Sequence, residues 1–212
     1  MNFLELINKC LLELNYRPVN SFSELVKNDH KKIITNLNVV NKEICAIEGW
    51  NFLIRHQRIT IPANVKSIQN PINGRILYFL VEGKVYTYVS DFGLFLKGKA
   101  PEKSYSVCDD KILLPKFKDA KSAEIFYYTK NSVISANGTE KMELTDEEDE
   151  SLIPMPFAQQ LLVYGACLRL KANPSYIRFS YWLSMYKEAL LNLKSKSSVY
   201  AKDAPSVRLF RN

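Results

Sequence analysis

The sequence predicts a mainly α protein with a β insertion, an α+β chain built as a four-helix bundle with an inserted β-rich lobe and an extended C-terminal tail. Three observations predict it. Apolar residues recur every three or four positions at both ends of the chain. The hydrophobic period changes to two after Trp50 and returns to a helical one near Pro154. Beyond Lys194 no period remains. The implied organisation is residues 1–57 and 151–196 for the helical bundle, 58–150 for the β-rich insertion with an acidic loop, and 197–212 for the tail.

Each element has its own signal. In the first helix, residues 3–14, Leu4, Ile7, Leu11 and Leu14 line one face, and Asn15-Tyr16-Arg17-Pro18 stops it. A second helical region covers 21–48, where Ser21 and Glu24 have capping-box spacing. Its apolar positions are Leu25, Ile33 or Ile34, Leu37, Val40, Ile44 and Ile47, and the polar stretch 27–32 is where it can divide into a short helix and a long one. Gly49 is the expected C-terminal stop. In the insertion, Arg58-Ile59-Thr60-Ile61 alternates and then meets Pro62. Residues 76–81 and 84–90 read as a hairpin turning at Glu82-Gly83, with Tyr86 and Tyr88 on the face opposite Val85, Thr87 and Val89. Short strands follow at 111–114 and 123–129. The third helix, 157–171, is nearly all apolar up to Leu168, which marks it as central, and Gly165 and Ala166 admit a close neighbour. Pro154 and Pro156 suit its first turn. The last helix, 174–193, has Asn173 as N-cap and Pro174 at its first position, with Trp182, Met185, Ala189 and Leu193 facing inward.

Composition excludes more than it selects. The chain has 212 residues and a net charge of +7, with 47% hydrophobic and 24% charged residues. No uncharged apolar run reaches the about 18 residues a membrane helix needs, and the first residues lack the basic segment of a signal peptide. The expectation is a product without membrane association, made and kept in the cytoplasm. Cys10, Cys45, Cys108 and Cys167 match no zinc or redox spacing and read as reduced thiols. His30 and His56 have no carboxylate or cysteine at ligand spacing, and the seven glycines are scattered singly, so no phosphate loop is present. Gly-x-Ser-x-Gly is absent too. These readings point away from an enzyme and to no cofactor and no metal. Residues 140–150 carry seven acids against one lysine, without the interspersed Gly and Asn of a calcium loop, and read as a solvated acidic loop. Phe126-Tyr127-Tyr128, between Lys121 and Lys130, suits strand core, with stacking on single-stranded nucleic acid as the alternative.

Two segments carry a resemblance. The first reads Leu14-Asn15-Tyr16-Arg17-Pro18-Val19-Asn20-Ser21, then a polar helix, then Glu48-Gly49-Trp50-Asn51-Phe52 and a strand ending in Ile61-Pro62. The second begins at Ile153-Pro154, continues through a small-residue-rich helix and a Pro-containing turn, and ends in a helix with Trp182 and Tyr186. The set resembles the tail tubular protein A family of T7-like phages and related podovirus adaptors. The layout covers most of the chain, while the β insertion and the lysine-rich tail depart from the pattern. The resemblance implies a structural virion protein, assembled in the host cytoplasm, that joins the portal protein to the tail nozzle protein. It implies self-association into a ring, twelve-membered in that family, with genomic DNA passing through the lumen without sequence specificity. Gly49, Trp50, Phe52, Pro154 and Trp182 are then structural. Val207, Arg208, Leu209, Phe210 and Arg211 become the portal-binding element, a role that suits an aperiodic tail ending in an apolar cluster. The alternative is a free nucleic-acid-binding protein using the basic tail and the Lys/Tyr surface.

Overall fold

Asn2 begins the first helix. Its side chain accepts the Glu5 N–H at 2.9 Å while the Glu5 carboxylate accepts the Asn2 N–H at 3.0 Å, a reciprocal capping box that Asn-x-x-Glu spacing permits. The structure is a computed structural model and describes residues 1–197. In chain order it contains α1 (Phe3–Glu13), α2 (Asn28–Ile47), β1 (Ile54–Ile61), β2 (Ser67–Gln69), β3 (Gly74–Val81) and β4 (Lys84–Tyr88). There follow α3 (Gly93–Leu96), β5 (Ser104–Cys108), β6 (Lys111–Leu113), β7 (Lys121–Thr129), β8 (Val133–Ile134), β9 (Glu140–Lys141), β10 (Glu150–Ser151), α4 (Phe157–Leu170) and α5 (Phe179–Ser197). Single 3-10 turns occupy Phe22–Glu24 and Asn51–Leu53.

The fold is α+β, with five helices and a curled seven-stranded sheet among the described residues. This overturns the expected four-helix bundle with a β-rich insertion hung on it: the sheet is a major part of the molecule, and the helical part carries a sheet of its own. The physical reason lies in strand length. Strands β2 and β6 have three residues each, and β8, β9 and β10 have two, so none of them has room to show a period.

The chain divides into two compact units. One consists of residues 1–53 with the described residues from 131 on, and the other of Ile54–Lys130. Residues 131–150, attributed from sequence to the β insertion, cluster instead with the helices. The polar face of α2 accounts for this. Asn38 accepts the Leu144 N–H at 2.7 Å and donates to the Leu144 carbonyl at 3.0 Å. Buried Asn41 donates to the Ser132 carbonyl at 3.1 Å and accepts from the Ser151 hydroxyl at 2.7 Å. These two asparagines, three positions apart on one helix face, hold the segment that forms the β10-β8-β9 sheet. Helix α4 packs against α1, α2 and α5, with Leu161, Leu162, Ala166 and Cys167 buried. At Gly165 an added Cβ would lie 2.8 Å from Val40 Cγ1 and 3.1 Å from the Tyr186 ring, so the glycine is what lets α2 and α5 approach.

The second unit is the sheet, in the order β1-β7-β3-β4-β5-β6-β2. The hairpin expected at Glu82-Gly83 forms between β3 and β4, with φ of 50° and 73° at the two turn residues, the pair of positive values a tight hairpin turn requires. Strand β5 then pairs with β4 in parallel, after the connection that contains α3. One sheet face is the unit's core, formed by Ile61, Phe79, Val81, Tyr105, Ile112, Ala123 and Ile125. The rings of Phe79 and Tyr105 stack at 5.1 Å, and burial pushes the Tyr105 hydroxyl up to about 12.

Two helix starts differ from the sequence reading. Ser21 makes no side-chain cap, so 22–24 is one 3-10 turn, and α2 proper begins at Asn28. The Asn173 side chain accepts the Ser175 N–H at 3.0 Å, and its carbonyl accepts from Tyr176, which makes a separate turn ahead of α5. The expected tail, beyond Ser197, lies outside the described residues.

Candidate functional site

The helical unit is organised at its helix ends, where backbone groups lack intrahelical partners. Around the start of α1 the acidic run closes as a clasp. The Met1 ammonium meets Glu150 at 3.1 Å, the Asn2 amide donates to Glu148 at 3.1 Å, and the Leu4 N–H donates to the Glu147 carbonyl at 3.2 Å. The Glu147 carboxylate also accepts the Phe22 N–H at 2.6 Å. At the centre of the clasp is Asp149, 1% exposed, which accepts the N–H groups of Thr145 at 2.6 Å and Asp146 at 2.7 Å and pairs with Lys141 at 2.7 Å. Burial pushes its carboxyl up, but the Asp146 N–H, the Lys141 ammonium and the Thr145 N–H outweigh burial and hold it below the usual carboxylate range. The solvated loop expected here is therefore a structural device, and acids at a helix N-terminus also gain from its dipole.

The end of α1 is held by α5 and the turn before it. Arg178 donates to the Glu13 carbonyl at 2.8 Å, and the Trp182 indole N–H donates to the Glu13 carboxylate at 2.9 Å. Trp182 is fully buried and stacks on Tyr176 at 5.3 Å. At the end of α2, Glu48 turns the chain into extended geometry (φ −148°, ψ 167°), so the helix stops before Gly49 and without a left-handed glycine cap. Gly49 is buried beside Trp50. The Trp50 indole N–H donates to the Ile44 carbonyl at 2.6 Å, serving one orphan acceptor of the last turn, and Phe52 stacks on its ring at 5.7 Å. The Pro154 carbonyl accepts the Ala158 N–H at 3.2 Å, ahead of α4. The five structural candidates thus mark helix ends, although they do not converge on one place. Val207, Arg208, Leu209, Phe210 and Arg211 lie outside the described residues.

Several surfaces of this unit are concave. A cleft of about 380 Å³ between α2, α4 and α5 is walled by Val40, Gly165, Leu168, Phe179, Leu183 and Tyr186, with the Glu43–Arg169 ion pair at its side. Nearby sequence leaves Ile177 92% and Tyr181 51% exposed. A smaller one, about 180 Å³, lies at the start of α2. In the sheet unit the outward row Tyr78, Phe126 and His56 runs across three strands in register, with His56 stacked on Phe126 at 4.5 Å and 3.4 Å from Glu124.

Among the described residues no group of three His, Cys, Asp or Glu is placed to hold a metal ion, and no helix is long and apolar enough to cross a membrane. The cysteines are unpaired; burial raises the thiols of Cys10 and Cys45, the latter to about 12. Sequence reasoning missed Asp149, Lys141, Glu13, Asn38 and Asn41. The Asn-x-x-Asn spacing on α2 was the available signal, since two amides on one helix face need polar partners. No protein-family model matches the chain, and no curated protein matches it.

Proposed function

We propose that the chain is a structural virion protein, the head-to-tail adaptor of a short-tailed phage. The observation that carries this reading is the ordered motif set: the turn at Pro18-Val19, Gly49-Trp50-Asn51-Phe52 after a polar helix, Ile153-Pro154, and Trp182 with Tyr186. Its support from physical chemistry is the job those residues do. Trp50 and Trp182 spend their indole N–H groups on a helix end and on the carboxylate beside one, which suits a rigid block made for packing against copies of itself. The apolar cleft of α2, α4 and α5, with Ile177 almost fully exposed, offers surface for such contacts.

On this reading the purified protein is a monomer that assembles when the portal protein of the same phage is added. The portal contact is assigned to the terminal residues Val207 to Arg211. Deleting residues 199–212 should leave the circular dichroism spectrum unchanged and abolish capture by immobilised portal; normal capture of the truncated protein would refute the assignment. Retention on duplex DNA with a steep salt slope and no portal binding would favour the free nucleic-acid-binding protein instead.

A further inference from the structure

The net charge of the chain is unevenly placed. Residues 54–130, the sheet unit, hold thirteen Lys and Arg against seven Asp and Glu, a net of +6 out of the chain's +7. All the other residues together carry a net of +1. An excess of this size on one small unit draws polyanions to it.

The sheet also has a face to offer. Side chains alternate across a strand, and the core takes Ile61 of β1, Ile125 and Tyr127 of β7 and Phe79 of β3. The alternate positions form the outer face. There the pairing sets His56, Phe126 and Tyr78 side by side on three strands. His56 stands on the edge strand with its ring stacked on Phe126 at 4.5 Å, and Tyr78 is 54% exposed. Of the sequence triad Phe126-Tyr127-Tyr128, only Phe126 belongs to this row: Tyr127 faces the core, and Tyr128 lies under Arg75, whose guanidinium is 5.3 Å from the ring centroid.

Cations flank the row on both sides. Arg75 borders it at one end of the strands, and the exposed Arg58 borders it at the other. Glu124 is the one acid on β1, β3, β4 and β7, and it is already engaged, with Arg58 at 3.0 Å and His56 at 3.4 Å. A row of rings between two arginines combines the features that hold a single strand: π faces for unpaired bases and cations for phosphates. A duplex keeps its bases stacked inside and offers the rings nothing. An apolar protein surface would bury the Arg75 guanidinium without a counter-charge.

We propose that the outer face of β1, β7 and β3 binds single-stranded nucleic acid, with bases stacked on the row His56, Phe126 and Tyr78 and phosphates held by Arg58 and Arg75. The binding is tolerant of sequence, since every base has a π face. The site goes beyond the adaptor reading and does not depend on it.

Fluorescence anisotropy of a labelled DNA strand of about 12 nucleotides, a length one such platform can cover, titrated with the full chain, tests it. The expected result is saturable binding that weakens as salt rises, with the unlabelled strand competing about tenfold better than its duplex. Tyr78→Leu keeps an apolar side chain at the surface and removes the ring; it should bind about tenfold more weakly, the stacking of one base, with the salt slope unchanged. Arg75→Gln should instead lower that slope by about 0.7, one phosphate contact fewer. His56→Ala, on the edge strand, repeats the ring test at a second position if Tyr78→Leu melts below the parent. Absence of binding at low salt, a duplex that competes as well as the strand, or ring variants that bind like the parent would each overturn the proposal. In the last case, loss of binding on deleting residues 199–212 would place it on the tail.

Discussion

At the start of α1 a capping box and an acidic loop between them take up the available groups, whereas the start of α2 has a lysine at the cap and donors without acceptors. Both helices belong to the same unit and pack against the same α4. The difference lies in short local sequence. Asn2-x-x-Glu5 supplies two side chains that reach backbone, while Lys27 has no acceptor atom to offer. An open helix start gives up stability that a capped one keeps.

The largest break of this comparison is at the opposite end of α2. Trp50→Ala removes a fully buried ring and the partner of the Ile44 carbonyl, and should destabilise by about 3–5 kcal/mol in urea unfolding. An unchanged midpoint would show that this helix end does not depend on the indole. Next comes the clasp over α1. Asp149→Ala leaves two backbone N–H groups without their acceptor and Lys141 with only Asp146 and Thr145, at a cost of about 3 kcal/mol. The effect carries a pH signature. The folded carboxyl titrates below its unfolded value, so its stabilisation is complete above about 3.9 and is lost as pH falls through the folded value. The stability gap between parent and Asp149→Ala should therefore narrow below about pH 4; a gap that stays constant into strong acid would assign the effect to packing. The smallest and sharpest test pairs the two caps. Asn2→Ala should lose about 1 kcal/mol, while Lys27→Ser should gain about 0.5–1 kcal/mol by filling an empty cap. Thermal melts would read both, and equal signs would remove the contrast.

The long elements were legible because they repeat. Leu4, Ile7 and Leu11 announce α1, the apolar run to Leu168 announces the central α4, and Glu82-Gly83 announces its hairpin. The two-residue strands were illegible because they are too short to show a pattern and the segment that forms them is held by Asn38 and Asn41, far away in sequence. The balance of sheet to helix was misjudged for the same reason. Trp50 and Trp182 were marked as structural from sequence, but the atoms they serve, the Ile44 carbonyl and the Glu13 carboxylate, are visible only in three dimensions. His30 read simply as a histidine without a metal partner. Its orphaned nitrogen is a property of burial, which no spacing encodes.

The sheet unit begins at Ile54 and ends at Lys130, and its first and last long strands are neighbours, with Ile54 opposite Tyr128 and Ile61 opposite Lys121. Both tethers therefore leave from the same end of one antiparallel pair. Tension between them would act across the ladder at its outermost rung, so the rungs from Ile54–Tyr128 to Ile61–Lys121 would part in sequence, as a zipper opens. Strands pulled from opposite ends resist as a block, in shear; this pair is mechanically soft along the one direction in which its own chain can pull it.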